Sequence, residues 1–172
     1  IAWGDKNYFS IANETAPFTS LTIGNAVNPK TLIRLTPLFP EPISRYQWSD
    51  DGEPIIFIGT SSTIYSFQPA LNQRQVVTVK PLTDWYVANT VLWSLETTTT
   101  TLSVIRDALG FHTNFAVINT TSTGISPDRF DPQAWHFATI HKDQVLLKQT
   151  DSPHFLIIGK DKQYTVAADH FL

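Results

Sequence analysis

The sequence contains no cysteine and no methionine, not even at position 1. Without cysteine, disulfide bonds, thiol catalysis and cysteine-based zinc sites are excluded, although the redox compartment stays open. Without an initiating methionine, the 172-residue chain is expected to be a processed product or a fragment of a longer protein. No apolar run approaches the roughly 18 residues of a spanning helix, so no membrane span is predicted.

Charge is also scarce, because charged residues make up only 16% of the chain and the net charge is −3. Affinity for nucleic acid depends on Lys and Arg side chains that neutralise phosphates, so no nucleic-acid partner is predicted. Hydrophobic residues reach 42%, and the many Thr, Val, Ile and aromatic residues favour strands over helices. The length suits a single all-β domain over residues 1–172.

Short strand signals alternate with turn residues along the whole chain. In the clearest stretch the predicted strands are Arg45–Trp48, Pro54–Gly59, Thr63–Phe67 and Gln75–Val79. The same order occurs four times, over residues of about 1–40, 41–80, 81–122 and 123–172. Four antiparallel strands per repeat suit the blade of a β-propeller. An antiparallel sandwich or meander is the alternative, since it also has short strands joined by turns.

Two strands are apolar on both faces, at Ile55–Ile58 and at Phe155–Ile158. A strand with one solvated face would alternate apolar and polar residues instead. Sheets stacked radially bury both faces of such strands, so cover on both sides is predicted. The sequence therefore predicts an all-β, propeller-like chain of four repeats of four antiparallel strands. A part of a larger propeller is favoured over a complete four-bladed ring.

One turn carries a family resemblance. The stretch Trp48-Ser49-Asp50-Asp51-Gly52, followed by Ile55-Ile56-Phe57, resembles the WD40-like repeat of TolB and of prolyl-oligopeptidase-type propellers. Asp50 stands where that family usually has proline, and Trp3-Gly4-Asp5 keeps part of the pattern. The resemblance implies a propeller and a structural role for the Asp-Gly turn, and it carries no catalytic residue. It also favours an extracytoplasmic location, although the compartment is otherwise unknown.

Motifs for catalysis or for cofactor binding are missing. His136 and His141 lie five apart across a strand and its turn, so they are expected on opposite faces, and no metal site is predicted. Neither a Gly-x-Ser-x-Gly elbow nor a glycine-rich phosphate loop occurs, and no cofactor is predicted. Acid pairs for glycoside hydrolysis would have to come from Asp50, Asp84, Asp128 or Asp131.

Two loop segments are candidates for contact with a partner. The long polar loop Asn119–Gln133 carries Asp128, Arg129, Phe130 and Asp131. An exposed aromatic side chain beside an arginine is a plausible contact pair, whereas a plain connection would place Phe130 in the core. The second segment is Pro37–Pro42, in which Phe39 either stands exposed or packs inward.

The functional prediction is a non-catalytic binding or scaffold module in a larger protein or envelope assembly, with another protein or further blades as partner. A propeller-type enzyme such as a glycosidase and a carbohydrate-binding lectin are the alternatives. Exposed aromatic residues at every repeat would favour the lectin, and clustered carboxylates with one desolvated would favour the enzyme. A broad apolar patch would favour a protein partner.

Overall fold

The fold is described from a computed structural model, which covers residues 1–4, 6–13, 15–49, 53–78, 82–108, 111–119, 130–142, 144–159 and 162–167. These residues form sixteen strands in four antiparallel sheets, and each sheet contains four strands that follow one another in the chain. The predicted fold class is confirmed: the chain is all-β and propeller-like. None of the helices within the described ranges is long and apolar enough to cross a membrane.

The strand bounds follow the β-branched and aromatic runs of the sequence. Sheet 1 contains β1 (Ala2–Trp3), β2 (Tyr8–Ala12), β3 (Leu21–Asn25) and β4 (Leu32–Arg34). Sheet 2 contains β5 (Arg45–Trp48), β6 (Ile56–Gly59), β7 (Ile64–Gln68) and β8 (Gln73–Thr78). Sheet 3 contains β9 (Asp84–Ala88), β10 (Val91–Thr97), β11 (Leu102–Ala108) and β12 (Phe111–Ile118). Sheet 4 contains β13 (Trp135–His141), β14 (Gln144–Gln149), β15 (His154–Gly159) and β16 (Lys162–Ala167). Short 3-10 helices lie at Thr36–Leu38, Pro69–Leu71 and Pro132–Ala134.

The chain divides into two compact units. Unit 1 consists of Ile1–Pro81 with Asn89–Val91 and contains sheets 1 and 2. Unit 2 consists of Leu82–Ala88 with Leu92–Leu172 and contains sheet 4 and, apart from Val91, sheet 3.

In unit 1, sheet 2 packs against sheet 1 through Trp48. The Trp48 indole N–H donates a hydrogen bond to Ser10 Oγ over 3.0 Å, and both side chains are buried. The ring also lies against Gly4, where a Cβ atom would come within 2.6 Å of Trp48 Cδ2 and Cε3. Apolar residues of both sheets complete this core, among them Leu21, Ile23, Ile56, Ile58 and Phe67. A glycine and a buried hydroxyl group therefore shape the place where the tryptophan docks.

Cover on both faces is found for one of the two apolar runs and not for the other. Ile56, Phe57 and Ile58 of β6 are all buried, as predicted, and Ile55, which lies just before the strand, is half-buried. In β15, Leu156 and Ile158 are fully buried, whereas Phe155 and Ile157 on the opposite face remain partly exposed. The prediction of full cover is therefore wrong for β15. Sheet 4 buries one face within unit 2, and its other face is only partly covered.

The expected placement of His136 and His141 on opposite faces is also wrong. A bulge at Ala138 shifts the β13–β14 register, so that His136 pairs with Lys148 and His141 with Gln144. Directly paired residues lie on one face, and Lys148 and Gln144 are four residues apart, so the two histidines share a face. Four residues of strand separate them by roughly 13 Å, which is too far for a common metal ion.

Candidate binding surface

A row of apolar residues crosses sheet 1 in register. Trp3 pairs with Phe9, Phe9 with Gly24, and Gly24 with Leu32. Directly paired residues point to one side of a sheet, and Ile11 joins this side because it lies two residues from Phe9. We call the side formed by Trp3, Phe9, Ile11 and Leu32 the open face. Ser10, which accepts the Trp48 hydrogen bond, lies on the opposite side.

The open face is exposed to solvent. The exposed fractions are 66% for Trp3, 60% for Leu32 and 45% for Ile11. Phe9 joins them: its ring meets Trp3 edge to face at 5.6 Å, and it covers Gly24, where a Cβ would approach Phe9 Cζ to 2.4 Å. Exposed apolar side chains grouped on one side of a sheet call for a partner or ligand, whereas scattered ones need no explanation.

The turn that resembles the WD40-like repeat has a structural role in its described part. The backbone N–H of Ser49 donates to Ile55 O over 2.8 Å, and the N–H of Ile55 donates to Ser49 Oγ over 3.1 Å. The Ser49 hydroxyl donates in turn to Glu53 O over 3.3 Å. The Trp-Ser pair therefore closes the turn and anchors the sheet, whereas Asp50, Asp51 and Gly52 lie outside the described residues.

The segment Pro37–Pro42 is fixed against sheet 2, and Phe39 packs inward with 7% of its surface exposed. Its ring meets that of Tyr65 edge to face at 5.0 Å. The Arg74 guanidinium lies 5.6 Å from the Phe39 ring centroid and 5.5 Å from that of Tyr65, and it donates a hydrogen bond to Leu38 O. Of the two placements considered for Phe39, the structure has the inward one.

Glu41 fixes the same segment at its other end. Its carboxylate accepts hydrogen bonds from Ser61 Oγ at 2.6 Å, from Ser62 Oγ at 2.8 Å and from the Ser62 backbone N–H at 3.2 Å. These donors favour the charged form, so the hydroxyl groups of Ser61 and Ser62 lower the pKa of Glu41 from 4.5 to about 2. Glu41 therefore ties this segment to the β6–β7 turn.

The predicted contact loop Asn119–Gln133 is described only at Asn119 and from Phe130 onward. Phe130 is buried, with 7% of its surface exposed. Asp131 begins the short helix Pro132–Ala134, and its Oδ1 accepts a hydrogen bond from the Gln133 N–H over 2.9 Å. Asp128 and Arg129 lie outside the described residues. Their role in contact stays a prediction. Phe130 lies in the core, which was the alternative to an exposed contact residue.

Of the acidic side chains considered for glycoside chemistry, those that the structure describes accept hydrogen bonds from backbone N–H groups. Asp84 Oδ1 accepts from the Trp85 N–H, and Oδ2 accepts from the Phe137 N–H, both over 2.8 Å. The second bond joins β9 to β13 within unit 2. Asp131 caps a turn in the same manner. Over the described ranges, no three His, Cys, Asp or Glu side chains come together in a way that would hold a metal ion.

A small pocket lies in unit 1 on the other side of sheet 1. It has a volume of about 120 Å³ and is lined mainly by β3, β4 and the turn between them, together with Tyr8 and Pro69. Small-molecule sites usually begin at roughly 300 Å³. The pocket is therefore too small to be the site of a drug-sized ligand, and the open face is the main candidate surface.

Aromatic residues recur at the first strand of each repeat, at Trp3, Trp48, Trp85 and Trp135, but this pattern does not predict the open face. Trp48, Trp85 and Trp135 are buried, whereas Trp3 is exposed. The signal that could have found the face is the run of apolar residues Trp3, Phe9 and Ile11 at alternate positions of a predicted hairpin. Their exposure depends on which sheets are present beside them, and no local pattern encodes that.

The fold is similar to solved structures of low sequence identity. One is the N-terminal domain of Nup159, a β-propeller, with a TM-score of 0.53, 9% identity, and coverage of 90% of this chain and 46% of that chain. Another comes from a complex of S. cerevisiae in which a Dbp5 variant is bound to Nup159, a Gle1 variant, IP6 and ADP. Here the TM-score is 0.59 at 8% identity, with coverage of 92% of this chain and 44% of that chain.

These likenesses show the fold alone. The chain spans less than half the length of the two solved chains that it matches. No protein-family model and no curated protein matches the sequence.

Proposed function

We propose that the chain is a non-catalytic, protein-binding module of propeller type, and that the open face is its binding surface. The observation that carries the proposal is that the exposed Trp3, Ile11 and Leu32 lie on one side of sheet 1 together with the half-buried Phe9, whose ring meets that of Trp3. Burial of large apolar and aromatic side chains supplies most of the energy of protein association. A rigid sheet that presents them needs little ordering on binding.

The enzyme alternative has less support. Asp84 and Asp131 accept hydrogen bonds from backbone N–H groups at short distance. A general acid or nucleophile has to face substrate, whereas these two carboxylates cap strands and turns. Asp50 and Asp128, the other acids considered, lie outside the described residues.

The lectin alternative requires an exposed aromatic side chain in each repeat. Three of the four recurrent tryptophans, Trp48, Trp85 and Trp135, are buried to at least 93%. They serve as core residues, so the arrangement does not support one sugar pocket per repeat. Trp3 remains exposed, and its apolar neighbours suit a protein surface better than a sugar.

The similar structures are consistent with this proposal. In the S. cerevisiae complex, Dbp5 is bound to Nup159, which shows that a propeller of related architecture takes a protein partner. For this chain we further propose the WD40-like repeat type, supported by Ser49, which closes the turn, and by Trp48, which anchors sheet 2 on sheet 1. Membership of a larger assembly, an extracytoplasmic location and the absence of nucleic-acid binding stay predictions.

Site-specific photocrosslinking tests the function. Ile11 is replaced by p-benzoylphenylalanine, and the chain is irradiated in a lysate of the cells that make it. One protein, identified by mass spectrometry, is expected to crosslink, and the crosslink should disappear when Trp3→Arg is added. Val76 has 56% of its surface exposed and lies on β8, away from the open face, so the same photoreactive residue at position 76 is the matched control. Equal crosslinking from positions 11 and 76 would contradict the proposal.

A further inference from the structure

We infer that the open face of sheet 1 binds a proline-rich segment of a partner protein, and that this segment packs an aromatic side chain beside Arg34. The inference rests on the proposed function, because it names the kind of partner that the same surface takes. It starts from the corresponding face of sheet 2, which is covered within unit 1 by a segment of this kind.

The corresponding face is the side of sheet 2 that carries Trp48. Trp48 ends β5 as Trp3 ends β1, and each tryptophan begins a row of paired residues across its sheet. Arg74 pairs with Phe67, which belongs to the row of Trp48. Tyr65 lies two residues from Phe67 and therefore joins the same side. The two faces can thus be compared strand by strand.

The outer two strands of sheet 2 are covered on this side by the segment Pro37–Pro42. Three of its six residues are prolines, at positions 37, 40 and 42. Phe39 packs its ring against Tyr65, and the Arg74 guanidinium lies close to both rings. Arg74 also donates a hydrogen bond to the backbone carbonyl of Leu38. The arginine of the outer strand therefore holds the segment through one aromatic ring and one carbonyl group.

The outer strand of sheet 1 carries an arginine on its open side as well. Arg34 pairs with Thr22 and Thr22 with Ile11, so Arg34 lies on the side of the open face. It is exposed, and it is the only charged residue in the four strands of sheet 1. Within the part of the chain that the structure describes, its guanidinium forms no ion pair or hydrogen bond. One detail differs, because Leu32 takes the place of Arg74 in the row and Arg34 stands in the next row.

A proline-rich segment suits this combination of groups. Proline has no N–H and such segments form no internal hydrogen bonds, so their carbonyl groups are available to Arg34. Trp3 and Phe9 provide an aromatic surface of the kind on which proline-rich peptides dock. The segment is stiff before it binds, so little conformational entropy is lost. A helix or a sheet already uses its interior carbonyl groups, and it would offer Arg34 no free backbone acceptor.

Selection from a phage library of random dodecapeptides tests the inference. The purified wild-type chain is the bait, and peptides that also bind Trp3→Arg are discarded. The remaining peptides are expected to be enriched in proline with Phe, Tyr or Trp close to it. Circular dichroism checks that Trp3→Arg is folded, and Ile11→Arg replaces it where it is not. Failure to find peptides that depend on the open face, or peptides with no more proline than the unselected library, overturns the inference.

The tightest of the selected peptides then tests the role of Arg34. Arg34→Ala should weaken its binding about tenfold, since a hydrogen bond to a charged group contributes roughly that much. Lys148→Ala removes an exposed cation from β14 of sheet 4 and is the matched control, for which no change is expected. Fluorescence anisotropy of the labelled peptide measures all three chains. Undiminished binding to Arg34→Ala, or equal losses in the two variants, overturns the placement of the segment beside Arg34.

The crosslink from position 11 separates failure of this inference from failure of the proposed function. Mass spectrometry of the crosslinked partner peptide is expected to find a proline-rich stretch with an aromatic residue. A Trp3-dependent crosslink to a stretch without proline, in another protein or in a second copy of this chain, overturns the inference and leaves the protein-binding function standing. Absence of any Trp3-dependent crosslink overturns the function as well.

Discussion

Two rows of paired residues, Trp3-Phe9-Gly24 in sheet 1 and Trp48-Ile56-Phe67 in sheet 2, each begin at a tryptophan that ends the first strand of its sheet, yet the two tryptophans differ sharply in burial. Trp48 keeps 7% of its surface exposed, and Ile56 and Phe67 keep at most 1%. In sheet 1, Trp3 holds the position of Trp48 and is 66% exposed, and Phe9 holds the position of Ile56 and is partly exposed. The difference in burial comes from the neighbouring sheet. Sheet 1 covers the row of residues in sheet 2, whereas no sheet of the described residues covers the row in sheet 1. In stacked sheets a residue's burial is thus set by the adjoining unit, as expected of repeat architectures.

Truncation of the two tryptophans should show the difference most strongly. Trp48→Ala leaves a cavity between sheets 1 and 2 and is expected to lower the free energy of unfolding by about 3–5 kcal/mol. Trp3→Ala removes an exposed side chain and should cost less than about 1 kcal/mol. Urea denaturation followed by circular dichroism measures both, at low protein concentration so that association adds nothing. Equal losses would mean that Trp3 is covered in the isolated chain.

The two glycines that lie under aromatic rings give the next contrast. Gly4→Ala places a methyl group against the buried Trp48 ring, which its hydrogen bond to Ser10 holds in place, and should cost about 1–3 kcal/mol. Gly24→Ala meets the far end of the Phe9 ring on the open face, which has room to turn away. We therefore expect a loss below about 1 kcal/mol, since alanine also restricts the unfolded chain. Thermal unfolding of both variants measures the difference, and an equally destabilised Gly24→Ala would contradict a free Phe9 ring.

A double-mutant cycle isolates the hydrogen bond between the sheets. Ser10→Ala and Trp48→Phe, alone and combined, should give a coupling energy of about 0.5–1.5 kcal/mol, the usual net value of such a bond. The matched control is the cycle of Ser10→Ala with Trp3→Phe. Trp3 lies on the other side of sheet 1, so that coupling should be close to zero. Coupling in the control cycle alone would reverse the assignment of the two faces.

Strand positions were predictable from the sequence because β-branched and aromatic runs end at turn residues. Besides Arg45–Trp48, the same reasoning predicts strands at Tyr8–Ala12 and His154–Gly159, and all three agree with the structure to the residue. For β11 the sequence predicts Leu102–Ile105, because Arg106 and Asp107 resemble turn residues locally, whereas the strand runs on to Ala108. In the fold Arg106 stacks on Trp93 at 5.8 Å, and Asp107 lies 3.3 Å from His112.

The candidate site was less predictable for two physical reasons. A bulge such as that at Ala138 changes the side to which every later residue of a strand points, and no residue type marks it. Exposure of an aromatic side chain depends on distant sheets, so Trp3 and Trp48 look alike in the sequence. The same holds for Phe39 and Phe130, whose aromatic character suits a contact surface and a core equally well.

The smallest expected effect concerns the segment Pro37–Pro42, which packs against sheet 2. The described residues place no such segment against the open face of sheet 1. The hydrogen bonds of Ser61 and Ser62 lower the pKa of Glu41 to about 2 in the folded chain, against 4.5 ordinarily. A carboxylate with a lowered pKa in the folded chain adds stability at pH values above its pKa in the unfolded chain, and this contribution is lost as pH falls from 4.5 towards 2.

NMR titration of the Glu41 carboxyl group should show the low pKa, and the double variant Ser61→Ala with Ser62→Ala should return it towards 4.5. Glu41→Gln should remove this part of the acid dependence and should also lower stability slightly at neutral pH, where the contribution is fully present but is weakened by solvent screening. An ordinary pKa in the wild-type chain would mean that the segment is not tied to the β6–β7 turn in solution.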